Sequence, residues 1–192
     1  MLEKVTLENR HVRLEPLNEL HIDGLWAAST PDIWTYMPVR VNQREDMEKF
    51  VGYADNIFEQ GQGLAFAVMD PHSNQVIGAT GFWNFVPENK RVEIGFTWYT
   101  SSRQRTATNT ACKFLLLSHA FETLGLNRVE FKTDSLNERS RKAIARIGAT
   151  EEGTLRNHVV QPDGRLRHSV YFSILNSEWH GIKLRLEEWL SR

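Results

Sequence analysis

Residues 103–121 read RQRTATNTACKFLLLSHAF, and their reading decides the fold. Mostly polar or small residues run without a break into an apolar pattern of helical period, which predicts a long helix over about 109–124, stopped by Gly125. The preceding RVEIGFTWY (91–99) is rich in β-formers and reads as a strand. A strand, a polar loop and a helix start bring unpaired backbone N–H groups together, and the helix dipole makes them an anion site whose usual biological occupant is phosphate. Thr106, Thr108, Asn109 and Thr110 can add hydroxyl or amide contacts, and Arg103 and Arg105 can add charge. The plainer alternative is that Thr108 or Asn109 merely caps a core helix. Neither Gly-x4-Gly-Lys-Ser/Thr nor Gly-x-Gly-x-x-Gly occurs in this loop, so it is not a P-loop or a dinucleotide fingerprint.

Working outward, LAFAVMD (64–70) and VIGATGFWNF (76–85) are short strand-like runs separated from each other and from 91–99 by turn clusters, which predicts three neighbouring antiparallel strands. Alternation at 4–7 and 11–16 predicts an N-terminal hairpin or bent strand pair. Helical patterns follow at 18–28, with Asn18 as N-cap and Leu20, Leu25, Trp26 and Ala28 as its apolar side, and at 45–59. Downstream, RVEFKT (128–133) is a strand, and Ser135 or Asn137 can cap a helix through Ile147, ended by Gly148. Strands at about 154–161 and 166–174 flank Pro162-Asp163-Gly164, a hairpin signal across which His158 and His168 can meet. An amphipathic helix closes the chain at 177–190. The order predicts an α/β fold, a mixed and mostly antiparallel central sheet flanked by helices, with a C-terminal β-hairpin.

The chain has 192 residues, 41% of them hydrophobic, so a single domain over 1–192 is expected. Lys and Arg number 23 against 24 Asp and Glu, a formal charge of -1 that argues against a broad nucleic-acid or anionic-membrane footprint. Cys112 is the only cysteine, so no intramolecular disulfide can form, a thiol-preserving cytoplasmic setting fits, and burial as a small hydrophobe is expected. No segment approaches the roughly 18 apolar residues of a membrane span, and the N-terminal stretch lacks a signal-like apolar core. The seven histidines include no His-x-x-x-His pair or Cys/His cluster, so no metal site is expected.

Taken together, the element order and these residues resemble the GCN5-related N-acetyltransferases, most similarly the branch of ribosomal-protein N-terminal acetyltransferases. The resemblance rests on HVRLEPL (11–17), VIGATGF (76–82), VEIGFTWY (92–99), the loop Gln104-Arg105-Thr106-Ala107-Thr108-Asn109 with the helix after it, HAFETLGLNRVEFKTDSLNERSRKAIARIGATEEGTLR (119–156), and the late DGRLRHSVYFSI. It implies that acetyl-coenzyme A is the cosubstrate, that the amides of 104–109, with Thr110, hold its pyrophosphate, and that its pantetheine arm runs beside Phe96, Thr97 and Trp98. The loop departs from the family where Ala107 replaces a glycine and Asn109 a small residue, so it is either crowded or rebuilt around a residue that tolerates left-handed geometry. Ala111 stands where many relatives carry Glu.

The resemblance also frames the chemistry. If Val92 and Ile94 face the core, Glu93 faces the other side of the sheet, toward the acceptor, where it is either a general base for the amine or a solvated glutamate. Asn137-Glu138-Arg139-Ser140 matches an Asn-x-x-Ser pattern in which the Asn contacts the cofactor arm and the Ser hydroxyl assists the departing thiolate; the bland alternative is a capping Asn137 and a solvent-facing Ser140. Arg141 and Lys142 read as surface charges, with contact to the adenosine phosphate as the alternative for Arg141. The segment STPDIWTYMPVRVN (29–42) is the expected specificity loop, with Trp34, Tyr36 and Trp83 as candidate acceptor contacts. The implied activity is N-acetylation of a primary amine, either a protein N-terminal α-amino group or a small molecule. The rival reading is a non-catalytic acyl-coenzyme A-binding or interaction domain. The apolar face of the last helix suits a dimer and docking onto the sheet equally.

Overall fold

The computed structural model describes residues 2–192. Eight strands form one sheet: β1 (Leu7–Glu8), β2 (Arg13–Pro16), β3 (Leu64–Met69), β4 (Val76–Val86), β5 (Arg91–Tyr99), β6 (Arg128–Asp134), β7 (Thr150–Val160) and β8 (Leu166–Leu175). Their spatial order is β1-β2-β3-β4-β5-β6-β8-β7. β5 and β6 are parallel, and the other pairs are antiparallel. The helices are α1 (Ile22–Ala28), α2 (Arg44–Glu59), α3 (Thr108–Ser118), α4 (Glu138–Arg146) and α5 (Asn176–Ser191).

The apolar pattern of β3 shows why two layers of helices are needed. All six of its residues are buried. Leu64, Phe66 and Val68 point into a core shared with α3 and α5, through Leu116, Leu117 and Leu186. Ala65, Ala67 and Met69 point the other way, into a core built with α1 and α2, through Leu25, Met47 and Val51. A strand of period two that is apolar on both faces must be covered on both faces.

Several boundaries differ from expectation for local reasons. Asn18 does cap, its side chain accepting from Leu20 N, but it caps a 3-10 turn at Glu19–His21 that leads into α1. That turn swings Leu20 outward to 92% exposure and leaves Trp26 at the rim, so the apolar side of α1 is Ile22, Leu25 and Ala28. α3 is regular only to Ser118, and His119–Thr123 forms a π turn that keeps Ala120 and Phe121 in the core. Gly125, at φ 61, ends it in the left-handed conformation.

β7 begins four residues early, at Thr150, and is exposed along almost its whole length as the sheet's edge. Its register with β8 shifts between Leu155 and Val159. The shift offsets the two histidines, so His158 Nδ1 meets Ser169 Oγ at 3.0 Å while His168 Nδ1 accepts from Asn157 N at 2.9 Å. They do not pair with each other.

Candidate functional site

β5 and β6 pair only at Arg91↔Arg128, Val92↔Val129 and Glu93↔Glu130. Beyond Glu93 they part, and β5 bulges against β4 between the partners of Ala79 and Gly81, with Phe96 at φ 48. A bulge adds a residue on one strand and increases its twist, which carries the end of β5 away from its neighbour. The extra residue also resets the alternation: Trp98 joins the α1–α2 core, whereas Tyr99 joins the α3 core. The result is a cleft of about 760 Å3 along the unpaired edge of β5.

At one end of the cleft lies the loop into α3. Gln104 is fully engaged within the protein, its Nε2 donating to Tyr99 O at 2.9 Å and its Oε1 accepting from Arg139 Nη1 at 2.7 Å. Thr106 Oγ1 donates to Arg103 O at 2.8 Å and accepts from Thr108 N at 3.3 Å, and Asn109 Oδ1 accepts from Tyr99 OH at 3.3 Å. Thr108 and Thr110 are buried, and Thr110 Oγ1 accepts from Arg146 Nη2 at 2.8 Å. The side chains of the loop therefore hold its shape. Gln104, Arg105, Thr106 and Asn109 line the cleft; Ala107, Thr108 and Thr110 are outside its lining. What the loop offers a ligand is the N-terminal end of α3 at Asn109, where no side chain caps the helix and the dipole is positive, and the Arg105 guanidinium.

The departures from the family pattern resolve into geometry. Ala107 has ordinary helical angles, φ -64 and ψ -16. The left-handed residue of the loop is Arg105, at φ 60, so the backbone does not require a glycine at 107. Ala111 is fully buried in the α3 core and does not face the cleft.

At the other end stands Glu93. Val92 and Ile94 are in the core, and Glu93 points the opposite way as the period of β5 requires. It is not a solvated glutamate: it is 6% exposed, and its Oε2 accepts from Asn84 Nδ2 at 2.9 Å and pairs with Lys132 Nζ at 3.3 Å. Its Oε1 lies 3.1 Å from where a side chain on Gly95 would begin, so Gly95 keeps the space beside the carboxylate open. Trp83 stacks on Tyr53, closes against Phe96 at 4.7 Å between ring centroids, and leaves its Nε1 without a partner among the described residues. Trp98 Nε1 is likewise unpartnered.

Across the gap, Asn137 caps α4 through Ser140 N at 3.0 Å, and both residues line the cleft. Ser140 is half-buried, not solvent-facing. Arg141 pairs with Glu151 at 3.2 Å and Lys142 with Glu138 at 3.5 Å, so neither turns toward the cleft. Trp34 packs on Trp98 and is 1% exposed, which makes it core; Tyr36 lines the cleft. The segment 29–42 is tied to the β7–β8 hairpin by Arg40–Asp163 at 3.4 Å, at the turn, and by Arg167 Nη1 to Tyr36 O at 3.4 Å, on β8.

Sequence reasoning missed Lys113, Lys132 and Arg167. Lys113 forms the floor of the cleft: it is 5% exposed, its Nζ donates to Thr97 Oγ1 at 2.7 Å, and burial pulls its ammonium down to about 7. Thr97 Oγ1 bonds in turn to Thr80 Oγ1 at 2.8 Å. Beside Lys113, burial pushes the Cys112 thiol up to about 12, as befits a core residue. The available signal for Lys113 was its position four residues after Asn109 on the helix. For Lys132 and Arg167 it was their polar parity on β6 and β8. The charged residues lining the cleft comprise seven Lys or Arg against Glu93 alone, which suits a ligand carrying several anionic groups. Among the described residues no group of three or more His, Cys, Asp or Glu could hold a metal ion, and no helix is long and apolar enough to cross a membrane.

A sheet that opens at one parallel pair, with a basic helix start at one end of the opening and an oriented carboxylate at the other, has the layout of a group-transfer enzyme. The family model for the Acetyltransferase (GNAT) domain matches residues 11–150, and the chain belongs to the GNAT acetyltransferase family as an N-acetyltransferase. It is 30% identical over 159 residues to the uncharacterized N-acetyltransferase p20 of Bacillus licheniformis, covering 80% of this chain and 85% of that one. It is 34% identical over 112 residues to YdaF of Bacillus subtilis, named provisionally as a ribosomal N-acetyltransferase, covering 58% and 60% of the two chains. A GCN5-related N-acetyltransferase from Brucella melitensis superposes with a TM-score of 0.91 at 33% identity, covering 98% of this chain and 86% of that one.

Proposed function

We propose that residues 1–192 form one acetyltransferase domain that moves an acetyl group from acetyl-coenzyme A to a primary amine, in the cytoplasm and without a metal. The observation that carries this reading is the parting of β5 from β6 at Glu93, which leaves an unpaired strand edge between the α3 loop and a held carboxylate. In this reading the first-turn N–H groups of α3 and Arg105 hold the pyrophosphate, and the arm lies along Phe96, Thr97 and Trp98, within reach of Asn137. The coenzyme brings an acyl group already activated as a thioester. Glu93 Oε1 accepts the amine proton, while Asn84 and Lys132 fix the carboxylate through Oε2. The Ser140 hydroxyl donates to the departing thiolate.

A protein N-terminal α-amino group is the acceptor suggested by the relatives, since YdaF is named for a ribosomal substrate. A compact small amine is the second reading, favoured by the two contacts that tie segment 29–42 to the β7–β8 hairpin. Calorimetric titration with acetyl-coenzyme A tests the site: micromolar one-to-one binding, about 8 kcal/mol, supports it, and absence of binding by the folded protein sinks it. Acetylation of ribosomal-protein N-terminal peptides against small amines then separates the acceptors.

A further inference from the structure

Arg167 sits on β8 in the lining of the cleft, on the same face of the sheet as Glu93 and Lys132, and is 4% exposed. Its alternation explains how it came to be there. Val170, Phe172 and Ile174 face the α3 core, so the odd-numbered residues of β8 face the opposite side. Among the described residues its hydrogen-bonding capacity is only partly met, although Asp134 and Glu93 stand near enough to attract its charge. The Nε has no partner among the described residues, and the guanidinium makes one long bond, 3.4 Å from Nη1 to Tyr36 O. The nearby carboxylates are already engaged. Asp134 Oδ2 binds Arg165 Nη2 at 2.6 Å and its Oδ1 accepts from Leu136 N at 3.0 Å, while Glu93 Oε2 is held by Asn84 and Lys132.

A buried guanidinium is a planar fork of five donors, and leaving it under-bonded, as the unpartnered Nε is here, is unfavourable. Such a group is retained where a ligand completes it, and the group whose geometry matches its fork is a carboxylate bound through two oxygens. Burial also draws the Arg167 guanidinium below its usual range, the sign of a charge kept from water without full compensation. The site holds the complementary charge for the other end of the ligand, because Glu93 Oε1 is free to receive an ammonium.

We propose that Arg167 is the carboxylate-binding residue of the acceptor subsite, so that the acceptor is an amine with a carboxylate a few bonds away. This rests on the acetyltransferase reading above and names its substrate class. The carboxylate comes either from a free amino acid or from an acidic side chain at a peptide's N-terminus.

Two matched probe series separate these sources: L-serine, L-threonine and L-methionine against their carboxamides, and tetrapeptide amides beginning with Asp or Glu against those beginning with Asn or Gln. Initial rates of coenzyme A release at low acceptor concentration give kcat/KM for each. The expected result is a preference of about tenfold or more for the carboxylate member in one series, and that series identifies the source. In Arg167→Gln the preference falls to within about twofold while the Kd for acetyl-coenzyme A stays within about twofold of the parent. Equal rates for acid and amide in the parent overturn the proposal. So does a preference that survives in Arg167→Gln, or an equal loss of both members, which would mark Arg167 as acting on the thioester. If Arg167→Gln melts below the assay temperature, Arg167→Lys replaces it: the charge survives without the fork, and an undiminished preference refutes the assignment. If acetyl-coenzyme A neither binds nor turns over, the acetyltransferase reading fails by itself. The subsite is then decided by thermal shift with the same pairs, where acid and amide stabilising the protein equally overturns it.

Discussion

Replacing Lys113 with methionine should make the protein more stable and flatten the dependence of its stability on pH. Burial holds the Lys113 ammonium at about 7, against 10.5 for the free side chain. That displacement corresponds to about 5 kcal/mol between the charged and neutral amine in the fold. The folded pKa is depressed for a base, so between about pH 7 and 10.5 the unfolded chain binds nearly one more proton than the folded one, and stability rises with pH across that window. At about pH 7.5 the buried amine disfavours folding by about 4 kcal/mol relative to a group that carries no charge. Methionine forfeits the bond to Thr97 Oγ1, about 1 kcal/mol, but Thr97 keeps its bond to Thr80. The net expectation is a gain of about 2–3 kcal/mol. Urea unfolding at about pH 7.5 and 8.5 gives the sharper test, because the parent should gain about 1 kcal/mol more than Lys113→Met over that step. The Cys112 thiol, whose ordinary value is 9, is common to both proteins, so its loss of a proton in the unfolded chain cancels in the comparison. Identical pH slopes for the two proteins would refute the reasoning and mean that Lys113 reaches solvent.

Glu93→Gln should lower kcat by about 100-fold or more while leaving the Kd for acetyl-coenzyme A unchanged, measured by steady-state rates and calorimetry. Ser140→Ala should lower kcat without changing the Kd for acetyl-coenzyme A, and an unaltered kcat would remove Ser140 from the chemistry. Gly95→Ala places a methyl 3.1 Å from Glu93 Oε1 and 3.3 Å from Trp83 Cδ1, so acceptor KM should rise about tenfold with little change in melting temperature. Cys112 should resist a thiol reagent in the native protein and react once unfolded, since it is fully buried with its thiol pushed up to about 12.

The strand period carried most of what could be read in advance. Val92 and Ile94 are apolar and flank Glu93, so the face of Glu93 followed from alternation alone, and the structure places it in the cleft. The same parity assigns Lys132, between Phe131 and Thr133, and Arg167 to a polar face, but parity cannot say which strands are neighbours. That requires β6 to insert between β5 and β8, a pairing made after a helical crossover over residues 100–127 and then by a later hairpin. Three separate segments converge to make the acceptor end, and no local pattern marks the convergence.

The loop into α3 was legible as a polar entrance but not in its working parts, because Gln104, Thr106 and Asn109 bond to the strand end and to the loop itself, leaving Arg105 as the lining residue of the loop with no bond inside the protein among the described residues. Its left-handed residue was also misplaced by analogy. Here Arg105 supplies the positive φ, with ordinary angles at Ala107, so the backbone at 107 does not call for glycine. Phe96 repeats the lesson in the strand, since its positive φ follows from the bulge that parts β5 from β6 and not from any preference of phenylalanine. Both residues hold disfavoured backbone at the edges of the same cleft, and the surrounding pairing and packing must stabilise what their own side chains do not.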